Sequence, residues 1–153
     1  MANSSIDSEN STDDDETKRI FQLHKEAFTA VEDASGRMRG YYCLIPLTKD
    51  GEKAIKEGVF SLKKLSSSYV RSNKDKYTPM YIAGIYGGNS GIVNAAIIGE
   101  LQGYLKAHKT RTIYARAQSR DGLYWLRKYN FNPVDRTKDG LGHFYQFDSR
   151  RIL

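Results

Sequence analysis

Cysteine, proline and histidine are all scarce in this chain. One cysteine (Cys43), three prolines and three scattered histidines (His24, His108, His143) occur in 153 residues. They allow no internal disulfide and offer no metal-ligand spacing, so no metal is expected. Flanked by Tyr42, Leu44 and Ile45, Cys43 reads as a buried structural thiol on a strand, and a lone reduced thiol fits a cytoplasmic location. No run approaches the ~18 apolar residues that a bilayer crossing requires, so no membrane partner is expected. The first residues are acidic and polar, where a signal peptide would be basic and then apolar. Neither G-x-G-x-x-G nor a phosphate loop ending in Gly-Lys-Ser/Thr is found, which argues against the common dinucleotide and ATP sites.

What remains is a soluble composition with an uneven charge. Hydrophobic residues make up 39% and aromatics 12% of the chain, enough for one domain with a real core. Residues 1–16 carry six acids (Asp7, Glu9, Asp13, Asp14, Asp15, Glu16) and no base. With those six removed from eighteen, twelve acids face all 24 Lys and Arg, so residues 17–153 hold an excess of about twelve positive charges. Such a body attracts polyanions, whether nucleic acid, acidic protein segments or a nucleotide-bearing cosubstrate.

Residues 1–14 lack apolar anchors and are expected to be a disordered acidic tail ahead of a single domain over 15–153. A helix is expected over about 16–32, with Ile20, Phe21, Leu23, His24, Phe28 and Val31 as its apolar stripe. Residues 37–47 read as a strand stopped by Pro46. A short helix follows over Lys49–Phe60 with Ala54, Ile55 and Val59 inward. A less defined stretch then contains Leu62, Leu65, Tyr69 and Val70, and ends in a basic loop over Arg71–Lys76. Met80–Tyr86 is an apolar strand that breaks at Gly87-Gly88-Asn89-Ser90-Gly91. Past the break, Ile97, Leu101, Tyr104 and Leu105 recur at helical spacing. Thr112–Ala117 is a second strand, expected to lie parallel and adjacent to the first. Ser119–Tyr129 is a helix, Phe131–Val134 begins a turn or strand, and Leu141–Phe147 alternates as a final edge strand. The order implies an α/β (α+β) sandwich, a mixed twisted sheet flanked by helices.

A turn between a strand and a helix directs backbone N–H groups and the positive end of the helix dipole at whatever lies beyond the strand, and a phosphate is the natural occupant. The segment Met80–Phe131 resembles the acetyl-CoA-binding core of the GNAT superfamily of N-acetyltransferases. The run Ser119-Arg120-Asp121-Gly122-Leu123-Tyr124-Trp125-Leu126-Arg127-Lys128-Tyr129-Asn130-Phe131 is similar to that family's following helix, which usually ends in Gly-Phe. Residues 41–47 resemble a core strand of divergent bacterial and phage members.

The resemblance implies a cytoplasmic, GNAT-like domain binding acetyl-CoA or another acyl-CoA as cosubstrate. It implies direct acyl transfer to an amine. Ile85, Tyr86, Gly87, Gly88, Asn89, Ser90 and Gly91 would hold the thioester carbonyl and the pyrophosphate, and Ser119 the pantetheine side. The family's phosphate loop reads Gln/Arg-x-x-Gly-x-Gly/Ala. Ending that motif on Ala95 puts Ser90 and Val93 at its first and central positions, whereas a shifted alignment uses Gly88 and Gly91. The position of the family's general-acid tyrosine carries Leu126, leaving Tyr129, three residues on, as the thiolate protonator. No acid lies in 80–86, so Tyr86 or a water would stand in for the usual base.

The acceptor stays open between a protein amine, aminoacyl-tRNA, a small polyamine and an aminoglycoside, and a homodimer is an open alternative. Two rivals belong to other classes: a catalytically degenerate GNAT-like interaction or regulatory module, and a basic nucleic-acid-binding protein. Arg120, Arg127 and Lys128, with Lys106, Lys109, Arg111 and Arg116, are candidates to grip the 3′-phosphate of CoA or an RNA backbone.

Overall fold

The computed structural model describes residues 14–72, 78–88 and 91–148. The expected acidic tail, up to residue 13, lies outside the described residues, as do most of the basic loop (73–77) and two turn residues, Asn89 and Ser90. In chain order the elements are α1 (Asp14–Leu23), β1 (Phe28–Glu32), β2 (Met38–Pro46), α2 (Lys49–Lys56), β3 (Met80–Tyr86), α3 (Gly91–Ala107), β4 (Thr112–Arg116), α4 (Arg120–Lys128), β5 (Asn132–Pro133) and β6 (Phe144–Asp148). The six strands form one sheet in the order β1-β2-β3-β4-β6-β5. Among the described residues only β3 and β4 pair in parallel, as expected from the intervening helix.

The first helix is shorter than its apolar spacing suggests. Instead of running to residue 32, α1 stops at Leu23, and Phe28–Glu32 is a strand paired antiparallel with β2, Phe28 opposite Cys43. Ile20, Ala27 and Val31 fit a helical series, but Phe28, Thr29 and Val31 also suit a pleated surface, and the open edge of β2 supplies the ladder. Phe21, expected in the stripe, is exposed. The next helix ends four residues earlier than expected, at Lys56, which leaves Val59 in solvent, while Ala54 and Ile55 are buried as anticipated. Thr48 caps it, its hydroxyl accepting from the Gly51 N–H at 3.1 Å.

The sheet is covered on both faces. On one, Cys43 and Ile45 of β2, Tyr81 of β3 and Tyr114 of β4 meet Ile20 of α1, Ala54 and Ile55 of α2, and Phe60, Leu62 and Leu65. On the other, Tyr42, Leu44, Met80 and Ile113 meet Ile97, Leu101 and Leu105 of α3. Burial pushes the Cys43 thiol up to about 12, in keeping with an inert core residue.

The last strand is not the edge. β6 lies between β4 and β5, with Ala115 opposite Tyr145 and Pro133 opposite Tyr145 on its other side. Pro133 sits on the two-residue β5 at the edge itself, where a missing N–H costs no ladder bond. Among the described residues no helix is long and apolar enough to cross a membrane, and no group of His, Cys, Asp and Glu could hold a metal ion.

Candidate functional site

The parallel pair comes apart halfway. β3 and β4 are in register at Met80–Ile113, Tyr81–Tyr114 and Ile82–Ala115, and the pairing stops there. Beyond it β3 continues to Tyr86 against β2 alone, while Arg116 stays paired with Phe144 of β6. A strand third in a sheet of six is ordinarily covered along its whole length. Here Met80 and Tyr81 are buried, but Ile82 through Tyr86 are each partly exposed. A gap therefore opens between the carboxyl halves of the two central strands.

A bulge accompanies the gap. The β2–β3 register steps from Cys43–Gly84 to Leu44–Ile82, leaving Ala83 as an extra residue on β3. A bulge bends and twists its strand, and it also changes which face the following side chains take. Strict alternation would put Tyr86 on the face of Met80. Instead Ile85 packs toward the α3 side, and the Tyr86 ring stacks on Tyr41 at 5.7 Å, with Tyr41 edge-on to Phe28 at 6.1 Å on the α1 side.

The glycines of the turn have different reasons for being glycine. At Gly87 a Cβ would fall on the Asn94 amide oxygen and lie 3.0 Å from the Ile97 Cδ1, so this position is needed for seating α3 on the sheet. Gly40 of β2 is constrained from the other side, where a Cβ would meet the Tyr86 carbonyl and the Ile97 Cδ1. Gly88 has φ +64°, a conformation other residues adopt only with strain, but a Cβ there touches nothing within 4 Å. Gly91, the first residue of α3, also faces open space. Packing accounts for Gly87. Gly88 and Gly91 are exposed, next to the dipole end of a 17-residue helix.

The other predicted site residues lie at the two ends of α4. Ser119 caps α4, its Oγ accepting from the Gly122 N–H at 3.0 Å, which leaves its hydroxyl proton to donate elsewhere. Tyr129 is the C-terminal cap of α4, with its ring stacked on Trp125 at 5.8 Å and the Lys128 ammonium 6.0 Å from its centre. Asn130 has φ +64°, and the Phe131 N–H bonds to the Leu126 carbonyl at 2.9 Å. Asn130 thus fills the left-handed position that a glycine occupies in Gly-Phe helix ends. Leu126 is buried with Ala115, Ala117 and Tyr145, against Ile82, so a hydrocarbon lies beside the last β3–β4 pair. The phenol in that cluster is Tyr145, which sequence reading did not single out. Its hydroxyl donates to the Asp139 carboxylate and accepts from the Gly140 N–H at 2.8 Å, and burial raises its pKa.

The basic residues that sequence reading grouped do not form one cluster. Lys106 lies in the last turn of α3, about 25 Å of helix from the glycine turn, and Lys109 and Arg111 follow the helix end. Arg127 pairs with Asp139 at 3.3 Å, and Lys128 covers the Trp125 ring at 4.9 Å. Arg116 lies elsewhere again, on the opposite sheet face. There Glu16, Tyr81, Lys63, Arg116 and Gln118 line a cavity of about 470 Å³. Its signal in the sequence is faint: Arg116 is one charge closing an apolar strand, and Glu16 lies a hundred residues before it.

No family model matches the chain, and no curated protein is similar to it in sequence. Its coordinates do resemble solved structures. An acetyltransferase of the GNAT family from Staphylococcus aureus Mu50 superposes with a TM-score of 0.56 at 10% identity, over 90% of this chain and 80% of that one. The mosquito arylalkylamine N-acetyltransferase like 5b gives 0.45 at 11% identity, over 80% of this chain and 73% of that one. The overlap with the staphylococcal enzyme, over most of both chains, shows the fold: this chain has the fold of the GNAT acetyltransferases.

Proposed function

We propose that the protein is an acyl-CoA-dependent N-acyltransferase, with acetyl-CoA as cosubstrate and an amine as acceptor. The observation that carries this reading is the end of β3–β4 pairing at Ile82–Ala115, on the strand that leads into the exposed glycines Gly88 and Gly91. The pyrophosphate would lie against the backbone of Gly87–Gly91, Asn89 and Ser90 included. The pantetheine arm would enter between the strands, with the Ser119 hydroxyl on its far side. A backbone N–H of Ile85–Tyr86 would polarise the thioester carbonyl. The amine nitrogen bonds to the carbonyl carbon as the C–S bond breaks, losing a proton while the thiolate gains one. Holding amine and thioester together supplies much of the rate. Tyr129 is assigned the proton for sulfur, and Tyr86 the orientation of the amine or of a water that deprotonates it.

Leu126 favours a second reading. With no phenol at that position, the domain would bind acyl-CoA without turning it over, as a regulatory or interaction module. One pair of measurements separates the two: thermal melting with acetyl-CoA, and release of CoA thiol with mixed amines. Stabilisation with thiol release supports the enzyme, and stabilisation alone supports the module. Absence of any shift at millimolar acetyl-CoA refutes both. For the enzyme, Tyr129→Phe is expected to slow thiol release by about 10²–10⁴-fold without changing the acetyl-CoA shift. An unchanged rate removes Tyr129 from the mechanism.

A further inference from the structure

The cavity on the α1 side is lined by Tyr81 of the paired stretch of β3 and by Arg116 and Gln118, which follow the last β3–β4 pair. Arg116 is the first residue of β4 past its last pair with β3, and it shares a sheet face with Tyr114 two residues earlier. Two contacts fix its side chain. Nε donates to the Gly142 carbonyl at 2.8 Å, and the guanidinium carbon lies 5.3 Å from the centre of the Phe144 ring. Phe144 packs in turn on Tyr81 and Phe60. Among the described residues no carboxylate pairs with Arg116, although Asp33, Asp139 and Glu57 all take cationic partners elsewhere. A guanidinium held by one edge and one face, against an aromatic floor, keeps its terminal N–H groups for a planar anion. Among the charged lining residues, Arg116 and Lys63 outnumber Glu16.

From this geometry we infer that the acceptor is a small amine bearing a carboxylate, and that Arg116 binds the carboxylate in the 470 Å³ cavity, leaving the amine toward the gap. The volume is of the order that suits small ligands, roughly 300–1,000 Å³. The inference rests on the acyltransferase reading for what happens to the amine, but not for the binding of the anion.

The test has a binding arm that needs no CoA. Titration calorimetry of the full chain compares L-lysine with cadaverine, L-tryptophan with tryptamine, and both sets with phosphoethanolamine. The carboxylate-bearing member of each pair is expected to bind more tightly. Arg116→Gln is expected to weaken those amino acids about ten- to hundredfold while leaving cadaverine and tryptamine unchanged, and Arg116→Lys to recover part of the loss. In the acetyl-CoA thiol-release assay the same variant should lower kcat/KM for amino acids alone, mostly through KM. Arg116-dependent binding of amino acids without any acetyl-CoA shift supports the anion site while the acyltransferase reading fails. Equal binding of each pair, equal loss for both members in Arg116→Gln, or preference for phosphoethanolamine overturns the proposal. So does the absence of binding by any of these amines to a folded protein.

Discussion

Gly91→Leu separates a role in ligand binding from a role in folding, because the two predict opposite signs. Gly91 is the first residue of α3, and a Cβ there meets nothing within 4 Å. Replacing a helical glycine by leucine removes a backbone-entropy penalty of up to about 1 kcal/mol, so the free protein should be as stable as the parent or slightly more so. For a domain of this size that is a rise in Tm of up to about 2–4 °C. With acetyl-CoA the order should reverse. Ligand at a hundredfold over Kd stabilises the parent by about 2.7 kcal/mol, roughly 5–10 °C. The leucine side chain would occupy the space where main chain and diphosphate approach, so most of that shift should vanish. Gly88→Ala is the companion variant. At φ +64° it strains the turn by about 1–2 kcal/mol and should lower the Tm of the free protein as well. Differential scanning fluorimetry with and without acetyl-CoA reads all of these values. A Gly91→Leu protein that melts like the parent and keeps the full acetyl-CoA shift would refute the placement of the diphosphate at this turn.

Three further outcomes are expected. Cys43 should resist Ellman's reagent in the native protein and react fully in denaturant, since burial pushes its thiol up to about 12; stoichiometric reaction in buffer would contradict this. Ile97→Ala should cost about 2–5 kcal/mol in urea unfolding, because Ile97 is fully buried between α3 and the sheet and touches the space kept clear by Gly40 and Gly87; a loss under 1 kcal/mol would show that α3 packs otherwise. The Tyr145–Asp139 hydrogen bond holds the Asp139 pKa down, while burial first and that hydrogen bond second hold the Tyr145 pKa up. Its contribution should be present between the unfolded values, about 3.9 and 10, fading as pH falls through the folded Asp139 pKa and as it rises past 10 toward the folded Tyr145 pKa. Urea midpoints across pH should narrow in dependence for Tyr145→Phe, and identical profiles for the two proteins would sink the assignment.

Strong local periodicity made much of the fold legible. Met80–Tyr86 as a strand, the helix carrying Ile97, Leu101 and Leu105, and the parallel strand at 112–116 follow from patterns that no partner element has to complete. Phe28–Glu32 could not be read the same way. Its apolar spacing suits either period, and only the free edge of β2 settles it. The edge position assigned to β6 failed for a similar reason, since a two-residue strand such as Asn132–Pro133 leaves no periodic trace.

The candidate site divides along the same line. The sequence by itself determined the glycine turn, the helix behind it and the leucine at position 126, because each is a run of neighbouring residues obeying local rules. Tertiary structure alone decided that Gly87 serves Asn94 and Ile97 while Gly88 and Gly91 face open space. It also decided that the central strands part after Ile82, and that Arg116 shares a cavity with Glu16 and Tyr81. Those facts depend on where a bulge falls and on which strands become neighbours, and both are set by contacts between residues far apart in the chain.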